Sequence, residues 1–160
     1  MDEIKYHIIR KFSPSVLQVK IPKNIVKALN NYIDEIIKDE EKIKKLNAGE
    51  YLVGDVTQEF RLELELMKKS GWGKFLATCV NHWIKTETGK TITKFKVKNS
   101  WIVRQFKNEY NPTHWHGGHI SGAGFLKVPK NLGKFSQNKK TKRYRGGNLQ
   151  LIHGTRMFLC

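Results

Sequence analysis

Cysteine is scarce in this sequence, long apolar runs are missing, and acidic residues run out well before the C-terminus. Cys79 and Cys160 are the only 2 cysteines in 160 residues. They make no disulfide framework and have no zinc-ribbon spacing. No apolar run approaches the roughly 20 residues needed to cross a bilayer. The N-terminal "MDEIKYHIIRKF" is charged where a signal peptide would carry its apolar region. These absences argue against a stapled secreted scaffold and a helical membrane protein, and lead us to expect a soluble, cytoplasmic chain with reduced thiols. The last carboxylate side chain is Glu109, and 9 lysines or arginines follow it with no aspartate or glutamate among them.

A formal net charge of +16 results. One reading is an electropositive field for nucleic acid or an anionic small molecule. The other is a lysine-rich background of solvated faces. Lysine heavily outnumbers arginine, although bidentate readout of bases and phosphates prefers arginine. The charge therefore admits nucleic acid as a partner without demanding it. At this length and with 39% hydrophobic residues, the chain is expected to be one folded domain over residues 1–160.

"IKYHIIRKF" and "SVLQVKIP" read as two short strands broken at Ser13-Pro14. Pro22 opens a helix. Ile25, Leu29, Tyr32, Ile33, Ile36 and Ile37 then recur at helical spacing, which predicts one helix over residues 24–46. "YLVGDVTQEFRLELEL" is ambiguous between strand and helix. "GWGKFLATCVNHWIKTE" places Phe75, Leu76, Cys79, Val80 and Trp83 on one face of a second amphipathic helix, as core. Past residue 90 the sequence alternates and is rich in β-branched residues: "TITKFKVKNSWIVRQFKNEYN", then "HISGAGFLKVP", a basic loop "KNLGKFSQNKKTKRYR", and "GGNLQLIHG". Strands are expected to dominate from about Phe95. Helices early and strands late indicate an α+β fold: strands and supporting helices over residues 1–90, a sheet or barrel over residues 91–160. No internal repeat is visible.

Half of the 6 histidines fall within "YNPTHWHGGHISGAGFLKVP". In extended chain, residues i and i+2 share a face. His114 and His116 would project side by side, with Trp115 opposite, and two imidazoles at that spacing can grip one metal ion. Gly117-Gly118 lets the backbone turn and brings His119 near. The competing reading is a set of histidines hydrogen-bonded on a surface loop. Zinc, iron and copper all accept imidazole.

"NEYNPTHWHGGHISGAGFLKVP" resembles the iron-binding strand and turn of the 2-oxoglutarate- and Fe(II)-dependent dioxygenases, in particular the subgroup with Asn-Pro before His-x-His, then Ser-Gly, then an apolar strand ending in proline. "YRGGNLQLIHG" is similar to the strand that follows the basic loop there. The resemblance covers about residues 98–156. It implies a double-stranded β-helix, or jelly roll, incomplete at the C-terminus, with N-terminal helices packed on one sheet. It also implies a dioxygenase or hydroxylase using Fe(II) and 2-oxoglutarate, with ascorbate as an optional reductant. The substrate would be a small molecule or a protein side chain.

The resemblance puts His114 and His116 on metal-ligand positions, His116 standing where the family has a carboxylate. Arg104 and Ser121 match positions that touch the cosubstrate. Phe125 replaces a tyrosine that donates to it, with Lys127 as a substitute donor. The third ligand is open between His119, His153 and a residue beyond Cys160. The family's distal histidine and cosubstrate arginine lie further downstream, and His153 and Arg156 are too close together to fill both roles. The expectation is a truncated domain with little turnover. Two alternatives are a non-catalytic basic nucleic-acid-binding module and a cupin-like zinc-binding jelly roll.

Overall fold

A computed structural model describes residues 5–9, 15–130 and 149–152. The chain divides into two units, Met1–Ser121 and Gly122–Cys160. The first holds every helix and strand found among the described residues.

Strand β1 (Tyr6–Ile9) pairs antiparallel with β2 (Val16–Val19), Tyr6 opposite Val19 and Ile9 opposite Val16. These are the two short strands the sequence predicts. Helix α1 (Lys23–Ile36) starts at Pro22, whose fixed φ suits a helix start. It buries Ile25, Leu29, Ile33 and Ile36, the stripe anticipated from the spacing. The single helix expected over residues 24–46 is two helices. Asp39 takes extended geometry and its carboxylate accepts from the amides of Glu41 and Lys42, both at 3.1 Å, opening α2 (Glu40–Leu46). An aspartate that caps a new helix has left the old one. Those backbone donors, Lys42 first, hold the Asp39 carboxyl below its ordinary range.

The ambiguous stretch contains both structures. After a 3₁₀ turn at Gly49–Tyr51, β3 (Gln58–Arg61) is followed by α3 (Leu64–Lys69). Helix α4 (Trp72–Thr88) buries Phe75 and Cys79, and burial pushes the Cys79 thiol up, which keeps it an unreactive core group. On α4, Trp83 Nε1 donates to Ser15 Oγ at 2.9 Å. His82 lies against Tyr6, ring centres 4.0 Å apart.

Strand β4 (Trp101–Arg104) pairs antiparallel with β3, Gln58 opposite Arg104 and Arg61 opposite Trp101. Alternation sends Phe60 and Ile102 to one face of this ladder. There Phe60 joins Ile33, Ile36 and Leu46 in a buried cluster, with Tyr32, Ile37, Ile43 and Ile102 packed against it. Helices α1 and α2 thus cover one face of the β3–β4 pair, and Glu59 and Trp101 belong to the other.

From Phe95 on, β4 is the one strand among the described residues, fewer than the alternation predicts. The run "HISGAGFLKVP" is not a strand. Alternation supplies a face, but a strand also needs a pairing partner, and no described residue pairs with this run. The described residues of the second unit, 122–130 and 149–152, contain no helix or strand and are largely exposed. The basic loop beyond Lys130, His153 and Arg156 lie outside the described residues. No helix among the described residues is long and apolar enough to cross a membrane.

Candidate functional site

The β3–β4 ladder carries the chain to the histidines through a closed excursion. Beyond the Gln58–Arg104 pair, the next pairing is Asp55 with Tyr110, where Asp55 N donates to Tyr110 O at 2.9 Å. Five residues, 105–109, bridge the gap on one side against two on the other. Glu109 closes the excursion. Its carboxylate accepts from the Thr57 amide (3.1 Å), the Thr57 hydroxyl (2.6 Å) and the Phe106 amide (2.7 Å). These donors, the Thr57 side chain foremost, hold the Glu109 carboxyl below the ordinary glutamate range. Asn108 takes the left-handed conformation at the tip, φ 72°. At the far end Gly54, φ +131°, lies so close to Tyr110 that an added Cβ would be 2.9 Å from its carbonyl oxygen and would collide with the Asn111 side chain.

Past Tyr110 the rings of His114 and His116 meet. Their Nε2 atoms are 3.0 Å apart, and the rings are edge to face with centres 4.7 Å apart. His114 Nδ1 is 2.7 Å from the Pro112 carbonyl oxygen. A carbonyl only accepts, so His114 Nδ1 carries a hydrogen and donates to it. His116 rests against the Trp101 ring, centres 5.6 Å apart. Burial first, then the neighbouring His114, lowers the His116 pKa, which favours neutral imidazole. The histidines themselves are exposed.

The separation of the two Nε2 atoms is that of an imidazole–imidazole hydrogen bond, and it is also one that two ligands of a single metal ion can take. Two nitrogens each about 2.1 Å from a common point are about 3.0 Å apart when they subtend a right angle, and the two Nε2 atoms have that separation. A backbone carbonyl on the remote nitrogen is the usual device for fixing a ligand imidazole. Among the described residues no three His, Cys, Asp or Glu side chains are grouped so as to hold a metal ion.

Sequence reasoning misses a buried carboxylate that interacts electrostatically with His114. Glu59 is 5% exposed. Burial, then repulsion from Glu109, raises its pKa, and the charge of His114 pulls it back. The only signal available in the sequence is weak, because Glu59 is one of three glutamates in "TQEFRLELEL", a stretch that reads equally as strand or helix.

The structure brings His114 and His116 together but does not bring Arg104 to them. Arg104 Nη1 donates to Gln58 Oε1 at 2.6 Å, and the guanidinium sits over the Phe106 ring at 5.3 Å. It alternates with Val103 and therefore lies on the Phe60 and Ile102 face of the ladder, whereas His116 packs on Trp101 of the other. Ser121 is exposed and outside any regular element. Phe125 is 58% exposed in the second unit. Compared with protein-family models, curated proteins and solved structures, the chain matches none.

Proposed function

We propose that this chain is a metal-binding domain of the 2-oxoglutarate- and Fe(II)-dependent dioxygenase type, with His114 and His116 as metal ligands. The observation that carries the reading is the 3.0 Å approach of two Nε2 atoms within the very segment that resembles the family's iron-binding turn. The antiparallel β3–β4 pair leading into that segment, with helices packed on its other face, supports it further. When bound, iron and 2-oxoglutarate supply the redox chemistry that couples decarboxylation of the keto acid to hydroxylation of a substrate.

The chain's own residues do the following. His114 is held as a ligand by its Nδ1–H bond to the Pro112 carbonyl. Trp101 shields one side of His116 and helps keep it neutral. Glu59 places a buried carboxylate near His114, where it offsets the charge of a cation. No cosubstrate role is assigned to Arg104, which is committed to Gln58 on the other face, so the far carboxylate of the keto acid is left without a partner from that strand.

The test is calorimetric titration with Mn(II), a stand-in for Fe(II) that does not oxidise, with and without 2-oxoglutarate. Because coupling between two ligands is reciprocal, 2-oxoglutarate should tighten Mn(II) binding at least fivefold, and His114→Ala should abolish both effects. Mn(II) binding indifferent to 2-oxoglutarate would leave a metal site and remove the oxygenase reading.

A further inference from the structure

A second feature stands apart from the histidine pair and uses neither His114 nor His116. Thr93, Lys94, Phe95, Lys96 and Lys98 line an open groove whose other wall includes His119. The Lys98 side chain runs beside Gly118, within 3.9 Å of the position its Cβ would take, which ties the lysine segment to the glycine turn. Lys94, Phe95, Lys96 and Lys98 are all exposed, Phe95 at 39%. The groove lining contains no carboxylate. From Thr88 to Asn108 the chain carries Lys90, Lys94, Lys96, Lys98, Arg104 and Lys107 and no aspartate or glutamate. The ion pairs found among the described residues use Lys42, Lys45 and Lys69, all elsewhere.

We propose that this groove binds single-stranded nucleic acid, the lysines contacting phosphates and Phe95 stacking against a base. The chemistry selects that partner in two steps. Three cations within five residues, with no acid beside them, suit a polyanion, since each neutralised phosphate releases condensed counterions. An exposed phenyl ring among those lysines adds a flat apolar face. An unpaired base can stack on it, whereas a duplex hides its base faces and an acidic peptide has none to offer. Lysine in place of arginine fits contact with a backbone and not readout of base edges, so the site is expected to be sequence-tolerant.

The experiment is fluorescence anisotropy of the full chain with a labelled 15-nucleotide oligothymidine, a duplex of equal length and a polyglutamate peptide, over a series of salt concentrations. The single strand should bind at least tenfold more tightly than either of the others. Combined Lys94→Ala, Lys96→Ala and Lys98→Ala should lower the slope of log affinity against log salt by about 2, since each phosphate that is no longer neutralised takes away about 0.7. The same number of lysines removed elsewhere, at Lys38, Lys44 and Lys68, should leave the slope within about 0.5 of its original value. Phe95→Ala should weaken binding roughly tenfold with an unchanged salt slope, the signature of abolished stacking. Equal effects of the groove and control triples would show diffuse charge attraction and overturn the proposal. Duplex or polyglutamate binding as tightly as the single strand, or an innocuous Phe95→Ala, would overturn it as well.

Discussion

Adding a divalent metal should raise the melting temperature of this chain, and the two histidines should account for the rise. Co(II) is a suitable probe, because it accepts imidazole and withstands air better than Fe(II). A ligand that binds only the folded state, at ten times its Kd, stabilises by about 1.4 kcal/mol. For the unit Met1–Ser121, an unfolding entropy of about 2.1 cal/mol/K per residue amounts to about 0.25 kcal/mol/K, so the Tm should rise by about 6 °C. His116→Ala leaves His114 as a single imidazole and should remove most of the shift at the same Co(II) concentration. His114→Ala should do the same. The pH dependence follows from the ligands. His116 has a lowered pKa, so protons compete weakly at about pH 7.5 and the shift is full there. It should shrink as pH falls and protons compete with Co(II) for the imidazole nitrogens. Differential scanning fluorimetry across a Co(II) titration measures all of this. A shift that survives in the double variant His114→Ala/His116→Ala would refute the reasoning, as would a wild-type Tm indifferent to millimolar Co(II).

Glu59→Gln tests the buried carboxylate. Its folded pKa is raised, so the charged form is penalised in the native state, and native stability is lost as pH rises from the ordinary glutamate value through the raised one. Glutamine escapes that penalty, so the variant should melt higher than wild type at about pH 7 and equal to it near about pH 3.5. Glu109 and His114 are the charges that face this group, and a lower Tm for the variant at neutral pH would mean that attraction to His114 outweighs burial. Gly54→Ala should cost of order 1–3 kcal/mol, because φ +131° and the nearby Tyr110 carbonyl leave no room for a Cβ. It should also weaken Co(II) binding, by displacing the start of the histidine segment. A neutral substitution in urea denaturation would contradict the backbone geometry.

The helical half of the fold was legible because burial follows spacing. Ile25, Leu29, Ile33 and Ile36 repeat as one stripe, and the same residues form the buried face of α1. What spacing could not register was the break at Asp39, since a capping aspartate on the polar face does not interrupt the apolar period. The strands were less legible. A strand exists through its partner, and the partner of β4 is β3, which lies 43 residues earlier by the Gln58–Trp101 interval. The site shows the same division. The His114–His116 approach joins residues two apart, so it is local in the sequence. Glu59 and Trp101 join the site only through the β3–β4 ladder, and the opposing position of Arg104 depends on the register of that ladder.

The Glu109-closed excursion also bears on how the chain can be altered. Its two ends are pinned independently, by the Gln58–Arg104 pair and by the Asp55–Tyr110 pair. Extra residues at its exposed tip, Lys107-Asn108, would enlarge a loop whose ends stay fixed, and loop entropy rises only slowly with length. A peptide inserted there should leave the histidines in place, whereas one inserted between Asn111 and Thr113 falls after the last pinned pair and should carry them away. The tip is thus the position at which to graft an affinity tag or fluorophore close to the histidine pair without disturbing it.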